Sequence, residues 1–155
     1  MEKNTYPVES WKVTEKKFLK EWNYRNETTF ALYNGYIGTR GTFDEGYPFT
    51  VDEGLEGNFI NGFYESENIR YGEWNFGFPK KSQSLLNLPN LKKTTLIFDD
   101  EPFDLFTGEI KEYERSLLME DGEVIRNVYW KSPKGKEVKV TFKRLVSFSD
   151  KNLMG

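Results

Sequence analysis

The chain has no cysteine and no histidine among its 155 residues. The first absence excludes disulfides and thiol chemistry, and the second excludes Ser-His-Asp catalysis. Together they remove the usual ligands of transition metals. The sequence also shows no EF-hand spacing for calcium, so we expect neither a metal nor a cofactor. Acid–base chemistry could rest only on carboxylates, tyrosines, lysines and arginines.

An excess of one charge and long apolar runs are also missing. The chain has 22 basic and 25 acidic residues, a net charge of −3, and the two signs are interspersed. Without a basic stripe we expect no nucleic-acid partner. No apolar stretch approaches the ~20 residues that cross a bilayer, and the N-terminus shows no signal-peptide pattern. We therefore expect no membrane partner and a cytoplasmic location, with which the lack of cysteine agrees.

Aromatic residues, in contrast, are abundant. Phe, Tyr and Trp make up 17% of the chain, and each buried ring removes ~150–250 Å² from water. A sizeable core is therefore expected even though the aliphatic content is modest. The length suits one ordinary domain, which we take to be residues 1–155.

The second half of the chain alternates apolar and polar residues with the period of two that is typical of strands. Residues 110–119 and 124–131 flank an Asp-Gly pair at 121–122, a signal for a two-residue hairpin. In the next strand, 137–148, only Arg144 interrupts the apolar face, which indicates a bulge or an edge. Because the second of these strands is partly apolar on both faces, we predict an all-β, mainly antiparallel sandwich.

The first half is less regular. The pattern predicts a strand near residues 8–13, a short helical turn within 15–22 and a second strand at 28–32. The region from 46 to 91 is punctuated by Gly, Pro and Asn. A structureless loop of that length is unusual in a compact domain, so further short strands are expected there.

The most informative segment is FALYNGYIGTRGTFDEG at residues 30–46, which we call the glycine segment. Its four glycines accept positive φ or a close approach of backbone. Their spacing fits neither a phosphate-binding loop nor a dinucleotide-binding turn, and no lysine follows. We interpret the segment as a tightly packed excursion of the chain, and as the place where a function would be encoded.

Three charged residues of the glycine segment are candidates for a substrate rim or an interface. The planar guanidinium of Arg40 could bind a carboxylate, a phosphate or sugar hydroxyls, or it could form an ion pair within the fold. Asp44 and Glu45 could pair with Arg40, or contact a substrate or another domain. Acidic residues also cluster at 52–53 and at 99–101, where turn chemistry explains the aspartates.

Aromatic side chains form a second group of candidates. Tyr36 and Trp74 belong to a set whose ring faces could pack against the C–H groups of a sugar. Alternatively, these rings fill the core of the sandwich, because aromatic residues supply most of the apolar surface of the chain. The other members of the set are Phe43, Tyr47, Phe59, Phe63 and Tyr64.

Four segments, in this order and spacing, match a known pattern: LYNGYIGTRGTFDEG at 32–46, FINGFYES at 59–66, LNLPN at 86–90 and RLVSF at 144–148. They resemble the N-terminal domain of glycoside hydrolase family 65, the maltose, trehalose and kojibiose phosphorylases and their hydrolase relatives. The resemblance implies a β-supersandwich, like that of galactose mutarotase, before a linker and a catalytic (α/α)6 barrel. Family members break α-linked glucose disaccharides, and the phosphorylases use inorganic phosphate as co-substrate with inversion.

The resemblance also implies what this chain lacks. The barrel, with its general-acid glutamate and its phosphate site, is absent, and the N-terminal domain itself is truncated. We therefore expect a non-catalytic, inactive domain whose partners are the missing barrel, a carbohydrate and another copy recruited by an unpaired strand edge. Two alternatives stay open: a stand-alone carbohydrate-binding β-sandwich module, and a small hydrolase that uses Asp44 or Glu45.

Overall fold

The computed structural model of the protein describes residues 6–48 and 54–155, so Asp52 and Glu53 lie outside the described residues. A 3₁₀ turn at Lys20–Trp22 leads directly into helix α1, Asn23–Thr29. The strands are, in chain order, β1 (Lys12–Glu15), β2 (Leu32–Tyr33), β3 (Ile37–Thr39), β4 (Asn58–Ile60), β5 (Tyr64–Asn68), β6 (Lys81–Leu85), β7 (Ile97–Phe98), β8 (Glu101–Pro102), β9 (Glu109–Leu118), β10 (Glu123–Lys131) and β11 (Glu137–Leu145).

The main layer is a four-stranded sheet in the order β1-β9-β10-β11, with every neighbouring pair antiparallel. The predicted hairpin between β9 and β10 is present, but Glu123 pairs with Leu118, so its loop has four residues instead of two. Gly122 takes φ +65° in this loop, a conformation that a glycine adopts without steric cost. The N-terminal strand β1 joins the sheet at the far edge from β11.

Shorter elements form the second layer. Strands β2, β3 and β4 make a three-stranded antiparallel sheet, while β5-β6 and β7-β8 are two-stranded hairpins. Leu32 of β2 packs with Val124 of β10 and with Val146, which joins the two layers. The prediction of an all-β, mainly antiparallel fold is confirmed, as is the prediction of short strands between residues 46 and 91.

The larger core lies between the inward face of β9, β10 and β11 and the loops that cover it. Trp130 and Phe43 have no exposed surface at its centre, and the indole N–H donates to the carbonyl of Thr107 at 2.8 Å. Aromatic rings dominate this core, as the composition predicted. Its buried members are Phe43, Phe103, Leu105, Tyr113, Val128, Trp130 and Val140.

Helix α1 corrects the predicted strand at residues 28–32. Its inward positions are Asn23, Asn26 and Glu27, at the i, i+3, i+4 spacing of one helical face, and all three are buried. Because this inward face is polar, the hydrophobic period that identifies a helix is missing from the sequence. The first strand is also shifted from its predicted position, since it begins at Lys12.

Two arginines lie among the apolar residues of the inward sheet face. Arg126 of β10 and Arg144 of β11 occupy positions that alternate with the outward side chains, and both are buried. The β10–β11 register is continuous from Glu123↔Leu145 to Lys131↔Glu137, so Arg144 does not mark a bulge. It does lie on an edge strand, which was the other predicted possibility.

Within the described ranges, helix length and hydropathy give no segment capable of spanning a bilayer.

Candidate functional site

The glycine segment leaves helix α1 and runs across the inward face of the main sheet. Gly41 crosses directly over Phe30, because a Cβ at this position would lie 2.7 Å from the carbonyl oxygen of Phe30. The amide of Gly41 also donates to the carbonyl of Glu27 at 2.7 Å. Such a close approach of two backbones leaves no room for a side chain, so glycine is required at this position for packing.

Three arginines from neighbouring strands hold the segment against the sheet. Arg115 of β9 pairs in register with Arg126 of β10, and Arg144 lies on β11. All three are buried, with exposures of 2%, 2% and 7%. The Nη1 of Arg115 donates to the carbonyl of Gly41 at 2.9 Å, and the Nη2 of Arg144 donates to the carbonyl of Thr42 at 3.1 Å. We call these three residues the arginine row.

The acidic pair of the segment binds the same row. Arg126 forms a two-pronged ion pair with Glu45, in which Nη1 lies 2.8 Å from Oε1 and Nη2 binds Oε2. Asp44 binds Arg144 and also lies 3.6 Å from Arg126. Burial lowers the pKa of the Arg126 guanidinium, but its neighbours, Glu45 foremost, together outweigh this effect and raise the pKa. Each carboxylate of the segment therefore has a buried cationic partner.

Phe43 anchors the segment between these charges. Its ring lies under the guanidinium of Arg126 at 4.5 Å and that of Arg115 at 5.3 Å, measured to the ring centroid. Phe18 and Tyr47 pack against it with centroid distances of 5.5 Å. Cation–π contacts are strengthened where the cation is desolvated, so this ring contributes both apolar burial and electrostatic stabilisation.

Glu15 extends the row to strand β1 and helix α1. Its carboxylate is fully buried and accepts from Arg115 Nε at 2.9 Å, from the Tyr113 hydroxyl at 3.0 Å and from the side-chain amide of Asn26. Burial raises the pKa of the Tyr113 phenol. Removing any of these partners would leave a charged group poorly compensated in the interior.

Arg40 belongs to a different cluster, which corrects its predicted pairing with Asp44 or Glu45. Its Nη2 lies 3.3 Å from Oε2 of Glu27, a fully buried residue of helix α1. The other oxygen of Glu27 accepts from the hydroxyl of Tyr47, and Oε2 also accepts from the Leu55 amide at 2.9 Å. Burial raises the pKa of the Tyr47 hydroxyl, and the hydrogen bond that this hydroxyl donates to Glu27 raises it further. The predicted ion pair within the fold therefore exists, with a helical partner.

Lys92 approaches the glycine segment from the other side. Its Nζ donates to the hydroxyl of Thr39 at 2.8 Å and to the carbonyl of Arg40 at 2.6 Å. Burial lowers the pKa of this amine to about 7, and the positive charge of Arg144 acts in the same direction. The amine therefore carries only part of its charge at neutral pH.

A family model decides what kind of domain this is. Residues 13–155 match the model of the N-terminal domain of glycosyl hydrolase family 65. The chain belongs to this family. The resemblance seen in the four sequence segments is thereby confirmed.

Relatives of this family 65 domain include disaccharide phosphorylases. It is 47% identical over 151 residues to the alpha,alpha-trehalose phosphorylase of Thermoanaerobacter brockii, which covers 97% of this chain and 20% of that enzyme. It is 30% identical to the maltose phosphorylase of Bacillus subtilis, over 96% of this chain and 19% of that enzyme. The chain thus spans about a fifth of the length of the curated relatives it matches.

A solved structure supports the same fold. A human-microbiome protein assigned as a kojibiose phosphorylase superposes with a TM-score of 0.81 at 28% identity. The match covers 93% of this family 65 domain and 19% of the solved chain. The arrangement of strands described above is therefore shared with the corresponding part of this solved structure.

The predicted site residues of the family 65 domain do not form one site. Asp44 and Glu45 meet at Arg126, while Arg40 lies in the Glu27 cluster. Tyr36 lies in the turn between β2 and β3, half-buried, with the ammonium of Lys151 5.0 Å from its ring. Trp74 lies between β5 and β6 with 61% of its surface exposed.

Several residues of the arginine row were not predicted. Arg115, Arg126 and Glu15 received no role from the sequence, although Arg144 was noted as a break in an apolar face. The signal that could have found Arg126 is its position between Val124 and Val128 on the inward side of β10. An arginine at an inward strand position requires a buried acidic partner.

Proposed function

We propose that the chain is the non-catalytic N-terminal part of a phosphorylase that cleaves an α-linked glucose disaccharide with inorganic phosphate. The observation that carries this proposal is the 47% identity to a trehalose phosphorylase across 97% of the chain. The match covers 20% of that enzyme. In this proposal the catalytic barrel and the phosphate site belong to the part of the polypeptide outside the matched region.

The geometry of the acidic pair supports a non-catalytic role. Inverting cleavage by water needs two carboxyl groups about 6.5–9.5 Å apart, one of them protonated to act as the acid. Asp44 and Glu45 instead bind the guanidinium groups of Arg144 and Arg126. Their side chains are 15% and 4% exposed, so a sugar has little access to them. Of the two predicted roles, these contacts favour the structural one over the small hydrolase.

In this proposal the domain serves as a rigid scaffold for the catalytic portion of the polypeptide. The arginine row joins β9, β10 and β11 to the glycine segment, and Glu15 joins them to β1 and α1. Ion pairs of this kind fix the relative position of elements, because displacement would leave charges buried without partners. A scaffold with fixed layers can hold a neighbouring domain in one orientation.

Trehalose is the first substrate to test, given the identity to a trehalose phosphorylase. The full-length polypeptide should release glucose 1-phosphate from trehalose only when phosphate is present, and maltose and kojibiose serve as comparison substrates. The 155-residue chain alone should release none. Turnover by the isolated chain, or phosphate-independent hydrolysis by the full-length polypeptide, would overturn the proposal.

A stand-alone carbohydrate-binding module is the second candidate, and the exposure of Trp74 is the observation in its favour. Calorimetric titration of the 155-residue chain with trehalose, maltose and longer glucans tests it. Saturable heat that disappears in Trp74→Ala, but persists in Val8→Ala, a change at an exposed apolar residue outside the β5–β6 hairpin, would support the module. Titrations that show no heat of binding would favour the scaffold role.

Location and self-association complete the proposal. The enzyme acts in the cytoplasm, where its phosphate co-substrate is available, as the lack of cysteine also favours. The isolated chain self-associates through β11, one of the two edge strands of the main sheet. Within residues 6–48 and 54–155, the end of this strand is covered by Gly155, which exchanges backbone hydrogen bonds of 2.6 and 3.1 Å with Leu145. Light scattering that shows a monomer at every concentration would exclude self-association.

A further inference from the structure

One hairpin of the second layer is exposed along almost its whole length. Residues 63–85, which we call the arm, consist of β5, β6 and the connection between them. All five residues of β5 are exposed, as are four of the five in β6, so both faces of this hairpin lack cover from the described chain. A two-stranded hairpin of this kind is only marginally stable in water, and becomes stable when another element packs on it.

The connection between the two strands carries exposed aromatic rings. Phe76 is 94% exposed, Trp74 is 61% exposed and Phe78 is 42% exposed. The hydrogen bonds that shape this end stay within the arm, such as Ile69 to Lys80 at 3.0 Å and the Tyr71 hydroxyl to Pro79 at 2.9 Å. The arm therefore has a formed backbone and an apolar surface that the rest of the described domain leaves open.

Composition indicates the chemistry of what covers the arm. It has three acidic and three basic residues, so it carries no net charge. Phe76 and Phe78 have no polar side-chain atom, whereas a sugar site needs convergent polar groups beside its aromatic faces. Contiguous exposed apolar patches mark interaction sites when they are large, and Trp and Phe are enriched at protein–protein interfaces. The surface fits an apolar protein face.

We propose that the arm docks on the catalytic portion of the same polypeptide, burying Trp74 and Phe76 in the interface. Relatives such as the T. brockii enzyme continue for about four times the length matched here, since the match covers 20% of the entire enzyme. A covalently attached partner acts at an effective concentration of about mM, so it outcompetes a second copy of the chain. The inference rests on the proposed function in one respect: it assumes that the longer polypeptide is the enzyme.

Hydrogen exchange tests the proposal on the full-length polypeptide and on the 155-residue chain. The strand amides of the arm should exchange at least about tenfold more slowly in the full-length polypeptide. The reason is that docking adds the free energy of the interface to the free energy needed for local opening. The variant Trp74→Ser/Phe76→Ser should abolish this protection. Val8→Ser, which changes a residue that is fully exposed outside the arm, should keep it.

Three results would overturn the proposal. Equal exchange rates in the two proteins would show that the arm stays uncovered. Protection that disappears as the full-length protein is diluted from dimer to monomer would identify a second copy as the occupant. Protection of the 155-residue chain by added trehalose or maltose would identify a sugar platform. If the double variant fails to fold, the single variant Phe76→Ser gives the same comparison.

Activity on disaccharides is a separate readout. A full-length polypeptide that protects the arm but does not release glucose 1-phosphate would refute the proposed function and leave the docking surface standing. Conversely, an active enzyme with an unprotected arm would refute only the docking surface.

Discussion

The guanidinium of Arg126 donates two parallel hydrogen bonds to the carboxylate of Glu45, across 81 positions of sequence. The side chains of both residues are almost completely buried, at 3% and 4% exposure. This pair joins the middle of the main sheet to the end of the glycine segment. It is therefore the contact whose loss should affect the fold most directly.

Breaking this pair should destabilise the domain strongly. Glu45→Gln leaves Arg126 with Asp44 at 3.6 Å as its remaining acidic neighbour. Removing one partner of a buried ion pair costs about 3–5 kcal/mol, because the other charge stays in the interior. Urea denaturation of the 155-residue chain measures the change. Glu109→Gln, the same substitution in the exposed pair with Lys111, should change the midpoint little; equal shifts in the two variants would contradict the prediction.

The close approach at Gly41 gives a second prediction. Gly41→Ala places a methyl group 2.7 Å from the carbonyl oxygen of Phe30 and 2.8 Å from its Cβ. Since neither backbone can move without disturbing buried contacts, we expect a loss of about 1–3 kcal/mol in unfolding free energy.

Gly72→Ala is the matched control, because nothing lies within 4 Å of the added methyl and its φ is not in the left-handed region. This variant should be as stable as the parent or slightly more stable. A Gly41→Ala protein with an unchanged denaturation midpoint would show that the segment is loosely held.

The partly buried amine of Lys92 should make stability depend on pH. Its folded pKa is about 7, below the usual 10.5, so between these values the unfolded chain binds more protons than the folded one. Stability contributed by this residue therefore rises with pH in this window, by at most about 1.4 kcal/mol per pH unit. Below pH 7 both states are protonated and the burial cost is present in full.

Urea denaturation at pH 7, 8 and 9 measures this slope below the range in which tyrosines titrate. Lys92→Met should remove the Lys92 contribution and flatten the curve. Lys93→Met, a change at the exposed neighbour, should keep the slope of the parent. A slope that is the same in all three proteins would show that Lys92 titrates normally.

Catalysis by the full-length polypeptide should not depend on the acidic pair. Asp44→Asn and Glu45→Gln should leave kcat within about tenfold, a difference of about 1.4 kcal/mol, at temperatures where the protein stays folded. A catalytic carboxylate would instead lower kcat and kcat/KM together by several orders of magnitude. Steady-state kinetics with circular dichroism on the same samples distinguishes lost chemistry from lost structure.

The hairpins of the second half could be predicted because their inward side chains follow a period of two. Trp130, Val128 and Val124 lie on the inward face of β10 as expected. Helix α1 could not be predicted in this way, since Asn23, Asn26 and Glu27 are its buried residues. A hydrophobic pattern detects cores built from apolar groups, and this part of the interior is built from hydrogen bonds and ion pairs.

The candidate site shows the same limit. An ion pair within the fold was one of the two roles considered for Arg40, Asp44 and Glu45, and such pairs are present, but their proximity in sequence suggested the wrong partners. Asp44 binds Arg144, 100 positions away. The sequence contains no local signal for contacts of this separation, which depend on how the main sheet is assembled.

The order of synthesis gives this arrangement a consequence in the cell. The glycine segment leaves the ribosome before the strands that carry its arginines, which follow 74 to 102 residues later. At about 5–20 residues per second, the wait is on the order of 5–20 s. During that interval the nascent N-terminal third exposes Phe43, Asp44 and Glu45 to chaperones and proteases, and translation speed through the last three strands controls how long this exposure lasts.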